Sequence, residues 1–450
     1  MDAYRIIGGR KLQGTVAVSG SKNTALPIMA ASLLVDGPVH LTNVPDVVDV
    51  STLAAVLGRL GVAVERSEVD DERRSRMRLL ADHNAQHVAP NHLVSRMRAS
   101  FCVLGPLLAR RGRAVVALPG GCNLGDRPVD LHLKGLAALG AEIQIQRGYV
   151  VARAKRLRGA EIQLAGVHGS TVTGTANVMM AATLAEGTTT IRGAAVEPEV
   201  VELGRYLSQL GANIEGMGTP TISVRGVSRL SGTNYEIAPD RIETATLLLA
   251  AAITGGDVTV TSARPDHLES VLKLFRTFGA EVSHDESALR LRMPQRPRPF
   301  HFVAEPYPGI PTDLQPLMLA LSCIADGSST IEDRVFPVRW RHAGELRRMG
   351  VHVHVDRCHS TIDGVERLVG AAVRSMDLRG GAALVLAGLA AQGETVVTNV
   401  AHIDRGYERF AQKLGHLGAD IERVAVNSEY REPSHPTTRS RQVRERLADA

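Results

Sequence analysis

Leu139-Gly140-Ala141-Glu142-Ile143 is one of six copies of a phrase that combines a helix end, a glycine, a small residue and an alternating strand. The six glycines, which are 79, 71, 68, 71 and 68 residues apart, are Gly61, Gly140, Gly211, Gly279, Gly350 and Gly418. A glycine directly after a periodic apolar helix is expected at the C′ position, because a positive φ costs it little. The alternation after it has the period of a β-strand.

Each copy is preceded by a second, more apolar helix, as buried helices tend to be. We predict these helices over 23–34, 95–109, 173–184, 242–253, 312–324 and 379–391. Most are followed by a glycine turn and a β-branched strand, as in Gly187-Thr188-Thr189-Thr190-Ile191. Every unit therefore reads as strand, helix, strand, helix, strand, strand.

Six units of about 70 residues exceed the usual period of a solenoid repeat and are better interpreted as sub-domains. The sequence predicts an α/β protein with two domains of three units each. A charge run over 68–74 is interpreted as a solvated hairpin tip. The aperiodic segment 425–450 is predicted to be a disordered or marginal tail.

The composition is that of a soluble globular protein, with 22% charged and 44% hydrophobic residues. The net charge of +5 suggests anionic ligands without identifying them, and the 3% of aromatic residues weakens the case for base stacking on nucleic acid. No apolar run approaches membrane-spanning length. Four dispersed cysteines without a CxxC pair argue against a zinc site or a disulfide framework and favour the cytoplasm.

A glycine-rich stretch, Pro119-Gly120-Gly121-Cys122, is followed by Arg127 and then by an amphipathic pattern over 129–140 that predicts a helix. The arginine favours the thiolate form of Cys122 and is a good anion clamp. A reactive loop and a surface turn with an incidental cysteine both remain open from this stretch alone.

Two polar helix starts are further candidates. Ser19-Gly20-Ser21-Lys22-Asn23-Thr24 is either an anion site at a helix N-terminus or an ordinary cap. Asp313 is either a base or a helix cap, and Asp240 with Glu243 has capping-box spacing. The histidines lack metal-ligand spacing, so no catalytic metal is indicated.

Arginines recur at equivalent positions of the units. For any single arginine, solvation at the surface is the usual role. Their recurrence makes convergence on one polyanion more plausible. These arginines are Arg96, Arg98, Arg339, Arg341, Arg379 and Arg405.

The motifs together resemble those of the UDP-N-acetylglucosamine 1-carboxyvinyltransferases, a family of enolpyruvyl transferases, from residue 4 to about 424. The matching stretches are 19–27, 97–100, 118–122, 127–132, 239–244, 311–313, 377–379 and 402–409. The resemblance implies two inside-out α/β barrels of three pseudo-symmetric units. One domain would comprise 22–238, and the other 1–21 with 239–424. The cysteine loop would act as a lid that closes over the ligands.

The resemblance also implies roles for residues at matching positions. Cys122 would be the general acid that also attaches to enolpyruvyl species, and Asp313 would be the base. The implied catalytic residues are Cys122, Asp313, Lys22 and Arg405. The implied substrate-binding residues are Lys22, Asn23, Arg98, Arg127, Pro128, Val129, Asp130, Leu131, Asp313, Val335, Arg339, Arg379 and Arg405. Two stretches depart from the family pattern, Val196 before Glu197-Pro198-Glu199 and the loop 168–174, so no uridine contact is implied for that loop.

The implied reaction transfers an enolpyruvyl group from phosphoenolpyruvate to the 3-hydroxyl of UDP-N-acetylglucosamine, the first committed step of peptidoglycan precursor synthesis. No cofactor is expected, and neither nucleic acid nor a membrane is an expected partner. The oligomeric state stays open, with a monomer preferred. The alternatives are transfer to shikimate 3-phosphate, a non-catalytic sugar-nucleotide-binding paralogue and, less well supported, a nucleic-acid binder.

Overall fold

The structure is a computed structural model that describes residues 2–67, 75–120, 129–166 and 169–425. Five short 3₁₀ segments lie at Ser32–Leu34, Arg98–Val103, Pro265–His267, Thr312–Leu314 and Val400–Arg405. The α-helices of the described ranges are α1 (Lys22–Ala31), α2 (Val48–Arg59), α3 (Asn91–Val94), α4 (Leu104–Arg111), α5 (Asp130–Ala138), α6 (Val172–Ala182), α7 (Pro198–Gln209), α8 (Arg241–Thr254), α9 (Glu269–Thr277), α10 (Gln315–Ser322), α11 (Arg341–Arg347), α12 (Leu378–Ala390) and α13 (Phe410–His416).

The strands are short, mostly of three to six residues, and alternate between buried and exposed positions. They are β1 (Asp2–Ile7), β2 (Gln13–Ala17), β3 (Val35–Asp36), β4 (Val39–Thr42), β5 (Val62–Ser67), β6 (Arg76–Ala81), β7 (Val88–Ala89), β8 (Arg113–Ala117), β9 (Glu142–Gln146), β10 (Tyr149–Arg153), β11 (Glu161–Gln163), β12 (Thr188–Arg192), β13 (Asn213–Glu215), β14 (Thr221–Arg225), β15 (Leu230–Ser231), β16 (Asn234–Glu236), β17 (Asp257–Thr261), β18 (Glu281–His284), β19 (Leu289–Arg292), β20 (His301–Ala304), β21 (Ser328–Asp333), β22 (His352–Asp356), β23 (His359–Asp363), β24 (Ala372–Arg374), β25 (Glu394–Thr398) and β26 (Asp420–Ala425).

In the described residues, six four-stranded mixed sheets share one order, in which a parallel pair is extended by two further antiparallel strands. Three sheets are built from consecutive strands, β7-β8-β10-β9, β11-β12-β14-β13 and β20-β21-β23-β22. The other three each take one strand from a distant segment, in the orders β16-β4-β6-β5, β2-β17-β19-β18 and β24-β25-β1-β26. The α/β class and the strand-helix repeat are therefore confirmed. A seventh, two-stranded sheet pairs β3 with β15.

All six repeat glycines have the backbone conformation that the sequence predicts. Their φ angles lie between +79° at Gly61 and +108° at Gly211. Each follows a helix and precedes a strand, so the glycine turns the chain back towards the sheet.

The more apolar helix of each unit is close to its predicted position, with one exception. The prediction of a helix over 95–109 is wrong, because Met97 is extended, a 3₁₀ segment follows it and α4 begins only at Leu104. Pro106 has no N–H to donate to the carbonyl of Cys102, which disfavours a regular α-helix through that earlier turn. The helix predicted over 129–140 is confirmed as α5.

Buried apolar side chains form two separate clusters. One contains residues between Ala25 and Ile237, and the other contains residues from Tyr4 to Val18 and from Ile242 to Leu417. In the second cluster α8, α10 and α12 pack against one another and are buried over nearly their whole length, as helices apolar on every side must be. The domain boundaries 22–238 and 1–21 plus 239–424 stay a prediction.

Most of the predicted cysteine lid loop, residues 121–128, lies outside the described residues, and so do two other predicted segments. The charge run 68–74 is one, although β5 and β6 on either side of it do pair as an antiparallel hairpin. The predicted tail is the other, apart from Ala425, which ends β26. Among the described residues, no helix is both long enough and apolar enough to cross a membrane.

Candidate active site

A cleft of about 340 Å³ lies between the two halves of the chain. The N-terminal turns of six helices, α1, α2, α6, α7, α8 and α12, contribute to its lining, together with three of the 3₁₀ segments. The free N–H groups and the dipole of a helix N-terminus favour negative charge. The backbone alone therefore makes this cleft suitable for an anionic ligand.

The first charged group of the cleft is a triad of Lys22, Asp49 and Arg405, in which Lys22 and Asp49 are buried. Asp49 Oδ2 lies 3.3 Å from Lys22 Nζ, and its Oδ1 accepts a hydrogen bond from Arg405 Nε at 2.9 Å. Only 5% of the Asp49 side chain is exposed. Lys22 begins α1 and Arg405 ends a 3₁₀ segment 383 residues later, so the carboxylate joins cations from both halves of the chain.

The second charged group is Asp313 between Arg339 and Arg379. Asp313 Oδ1 accepts a hydrogen bond from Arg339 Nη1 at 2.9 Å, and Oδ2 accepts one from Arg379 Nε at 3.1 Å. Burial alone would raise the pKa of Asp313, but the two guanidinium groups outweigh burial and hold this pKa far below its usual range. Asp313 is therefore a carboxylate in this state.

Several guanidinium nitrogens in the cleft have no hydrogen-bonded acceptor among the described residues. These buried atoms are Nη1 and Nη2 of Arg379, Nε of Arg339 and Nη1 of Arg241. Nη2 of Arg379 is 3.1 Å from Asp313 Oδ2 but is not aligned for a hydrogen bond, and its guanidinium stacks 4.9 Å from the ring centre of Tyr407. Buried donors without acceptors are costly, so an anion that accepts from them would bind favourably.

The structure brings most of the predicted site residues together. Those that line the cleft are Lys22, Asn23, Arg98, Asp313, Val335, Arg339, Arg379 and Arg405. Val129, Asp130 and Leu131 lie at the start of α5 and are not among the described lining residues. Cys122, Arg127 and Pro128 fall outside the described residues. Arg96 and Arg341 do not line the cleft, so convergence of all the recurrent arginines is not observed.

The structure shows which of the candidate capping residues cap a helix. Ser21 is the cap of α1, and it accepts from Thr24 N at 3.2 Å, which leaves Lys22 to point into the cleft. Asp313 caps no helix, since both of its oxygens accept from arginines. Asp240 does cap α8, but Glu243 accepts from Ser19 N and Lys413 and does not close a capping box.

Sequence reasoning missed several acidic residues of the cleft, and two of them pair with its cations. Asp49 is the bridging carboxylate, and Glu199 makes a buried two-fold ion pair with Arg241 at 2.9 and 3.1 Å. The motif Pro239-Asp240-Arg241 was recognised, but its partner Glu199 lies 42 residues earlier in the chain. Only the spatial proximity of the two segments could have identified these pairs.

Fold and cleft together define a class of α/β proteins built from repeated units around an anion site. The family model described as EPSP synthase (3-phosphoshikimate 1-carboxyvinyltransferase) matches residues 6–414. A UDP-N-acetylglucosamine 1-carboxyvinyltransferase of Halorhodospira halophila (strain DSM 244 / SL1) is 48% identical over 424 residues, 94% of this chain and 100% of that protein.

Two solved structures are similar in their folds. The enolpyruvyl transferase NikO from Streptomyces tendae superposes with a TM-score of 0.85 at 25% identity, over 95% of this chain and 99% of that one. An EPSP synthase from Acinetobacter baumannii has a TM-score of 0.72 at 19% identity, over 94% and 100% of the two chains. The chain belongs to the enolpyruvyl transferase family, and it is a carboxyvinyltransferase.

Proposed function

We propose that the enolpyruvyl acceptor is the 3-hydroxyl of UDP-N-acetylglucosamine and that the donor is phosphoenolpyruvate. The relative that shares 48% of its residues with this chain carries that name. The observation that carries the proposal is the set of four cations, from both halves of the chain, that surround two carboxylates in one cleft. Such a cleft suits a small, highly charged donor such as phosphoenolpyruvate.

The proposed chemistry is addition followed by elimination. Protonation of C3 of phosphoenolpyruvate makes C2 electrophilic, and the sugar 3-hydroxyl attacks C2 as Asp313 accepts its proton. The result is a tetrahedral ketal that still carries the phosphate. Loss of a proton from C3 re-forms the double bond and expels phosphate. Lys22, Arg379 and Arg405 stabilise the negative charge of the phosphate and carboxylate throughout.

Asp313 must loosen its ion pairs before it can act as a base. Two guanidinium groups lower its pKa, and a carboxylate with a low pKa is a weak proton acceptor. The anionic groups of phosphoenolpyruvate would compete for Arg379 and Arg339, and they would likewise compete with Asp49 for Lys22 and Arg405. Donor binding would thus activate the base by taking over its cations.

Cys122 is proposed to be the general acid and to attach covalently to enolpyruvyl species. Arg127, Pro128, Val129, Asp130 and Leu131 are proposed to contribute to the uridine site, with Asn23, Arg98 and Val335 as further substrate contacts. These roles rest on the resemblance of the motifs. Arg98 and Val335 also line the same cleft as Asp313, which is compatible with a nucleotide sugar that extends along it.

The finer architecture and the cellular role belong to the same proposal. We propose that the six units form two inside-out barrels of three, with residues 22–238 in one domain and 1–21 with 239–424 in the other. The two separate apolar cores support this division. The role would be in peptidoglycan precursor synthesis in the cytoplasm, and hence in cell shape and division.

Phosphate release from phosphoenolpyruvate tests the choice of acceptor. UDP-N-acetylglucosamine and shikimate 3-phosphate are each added separately to the full chain. The proposal expects acceptor-dependent phosphate with the sugar nucleotide and none above background with shikimate 3-phosphate. The reverse result would make the chain a 3-phosphoshikimate transferase. Saturable binding of the sugar nucleotide without any phosphate release would contradict the catalytic proposal and favour a non-catalytic paralogue.

A further inference from the structure

A cluster of metal-binding side chains lies on the sheet β20-β21-β23-β22, apart from the residues that line the cleft. The thiol of Cys358, a ring nitrogen of His359 and a carboxylate oxygen of Glu332 lie within 4.8 Å of one another. Glu332 and His359 are direct partners in the β21–β23 ladder. We propose that these three side chains bind a zinc ion or a similar borderline-soft divalent cation, independently of the transferase chemistry.

The backbone around the cluster holds the three ligands in place. Asp333 N donates to Cys358 O at 2.9 Å, which fixes the cysteine beside the end of β21. The indole Nε1 of Trp340 donates to Arg357 O at 2.8 Å, so the turn between β22 and β23 is held from its other side. A site whose ligands are already close loses less conformational entropy when a metal binds.

The ligand types select the metal. Thiolate and imidazole suit zinc and cobalt, whereas magnesium and calcium prefer oxygen atoms only. Three protein ligands leave a fourth tetrahedral position for water. Asp356, which pairs with His359 across the hairpin, adds negative charge next to the site. Binding requires the Cys358 thiol to lose its proton to solvent while His359 stays neutral.

The Glu332 carboxylate already forms an ion pair with Arg334. Its Nε and Nη2 donate to the two carboxylate oxygens at 2.7 and 3.2 Å, and its Nη1 also pairs with Glu305. A metal ion would replace Arg334 at Glu332, and the arginine would keep Glu305 as its partner. Arg334 therefore competes with the metal ion for Glu332, and removing Arg334 should raise the affinity for the metal. Mutation of a ligand should lower the same affinity.

Spacing along the sequence gives no signal for this site. Cys358 and His359 are adjacent, but Glu332 belongs to another strand and meets them only through the ladder of β21 and β23. The sequence expectation of no zinc site was based on the absence of CxxC and similar spacings, which a ligand set assembled across a sheet does not need.

Cobalt(II) titration of the full chain tests the site, since a cobalt–thiolate bond gives a charge-transfer band in the near ultraviolet. The titration uses protein carrying Cys122→Ser, so that this thiol cannot contribute to the band. We expect a saturable band at one cobalt per chain that zinc removes. Cys358→Ser should abolish the band. The same loss would be expected if Cys358 bound cobalt without His359 and Glu332.

The decisive variants therefore keep the thiol. His359→Ala and Glu332→Gln should each weaken cobalt affinity at least about 100-fold, because loss of outer-shell partners alone costs 10–100-fold. Arg334→Ala should tighten binding, and His354→Ala, an exposed histidine on β22, should leave it unchanged. Circular dichroism verifies that each variant is folded. Affinities of His359→Ala and Glu332→Gln equal to the parent, or no band at millimolar cobalt, would overturn the proposal.

Discussion

At the scale of single residues, a change at Asp313 should affect stability as well as catalysis. Asp313 holds Arg339 and Arg379, of which 3% and 1% of the side chain is exposed. Removing one partner of a buried ion pair costs about 3–5 kcal/mol, because it leaves buried charge uncompensated. Any test of Asp313 as a base must therefore separate catalysis from stability.

Asp313→Asn should lower kcat by about 10²–10⁴-fold, the usual contribution of a general base. The amide has the same size and can still accept from one arginine, but it cannot take up the hydroxyl proton. Steady-state kinetics, run well below the melting temperature measured for the variant, provide the value. Asp326→Asn, at an exposed surface carboxylate, is the matched control and should keep full activity. A kcat above about a tenth of the parent value would refute the assignment.

Cys122 should be the only cysteine that reacts with an epoxide phosphonate such as fosfomycin. Burial raises the pKa of the Cys102 thiol to about 12 and that of Cys323 still further, so neither forms a thiolate readily. Cys358 lies beside Glu332 and His359 and does not line the cleft that would hold the phosphonate. Peptide mass spectrometry identifies the labelled residue, with and without UDP-N-acetylglucosamine, which should accelerate labelling. A label on Cys358 instead would contradict the prediction.

The sequence predicted the cations of the site but only one of their carboxylate partners. Lys22, Arg379 and Arg405 belong to compact motifs, and Asp313 follows the recognisable Pro311-Thr312 pair. Asp49 stands in an ordinary amphipathic helix start, where a first-turn acid is expected for the helix dipole alone. Its partner Arg405 is 356 residues away, and no local pattern encodes such a pairing.

At the scale of elements, two glycines at the end of the last unit allow a direct comparison between a helical and a left-handed backbone position. Gly415 lies inside α13 with helical backbone, and Gly418 follows the same helix with φ of +98°. A Cβ added at either position would meet no atom within 4 Å. The two substitutions to alanine therefore differ in backbone conformation and not in steric contact.

Gly418→Ala should destabilise the protein by roughly 1–2 kcal/mol, the cost of a left-handed conformation for a residue with a Cβ. Gly415→Ala should stabilise it by about 0.5–1 kcal/mol, because glycine is a poor residue in a helix interior. Thermal or urea unfolding monitored by circular dichroism measures both. If the two variants shifted stability in the same direction, the positive φ would not be what selects glycine at this point of the repeat.

Local patterns predicted the elements better than their assembly. Helix and strand periods with a terminal glycine located all six repeats, since these signals lie within a few residues. The strand pairings of β16 with β4, β2 with β17, and β1 with β25 could not be assigned in this way. Each pairing joins strands about 200 residues or more apart in the chain, and in each case the distant strand completes a four-stranded sheet. Which strand pairs there depends on which sheet edge is still unpaired after the rest of the chain has folded.

At the scale of the whole molecule, the two halves are joined at one point by two neighbouring chain segments. Ser21 N donates to Ala238 O at 2.7 Å, and Asp240 N donates to Ser19 O at 2.9 Å, so the segments at 19–21 and 238–240 run side by side. Beyond this connection, the contacts across the cleft include the charged pairs Asp49–Arg405 and Glu199–Arg241. Rotation about this connection would change both the width of the cleft and the distances within these two ion pairs.

Ligand binding should draw the two halves together, because an anion that accepts from cations of both halves adds attraction between them. Lys22 and Arg98 come from one half and Arg339, Arg379 and Arg405 from the other. Small-angle scattering should therefore show a smaller radius of gyration at saturating UDP-N-acetylglucosamine, and smaller again with a phosphoenolpyruvate analogue. Arg405→Ala removes one side of the bridge and should reduce the change, whereas Arg341→Ala, outside the cleft, should not. An unchanged radius at a saturation verified by calorimetry would contradict closure, and the cleft would then have to bind its ligands as a rigid surface.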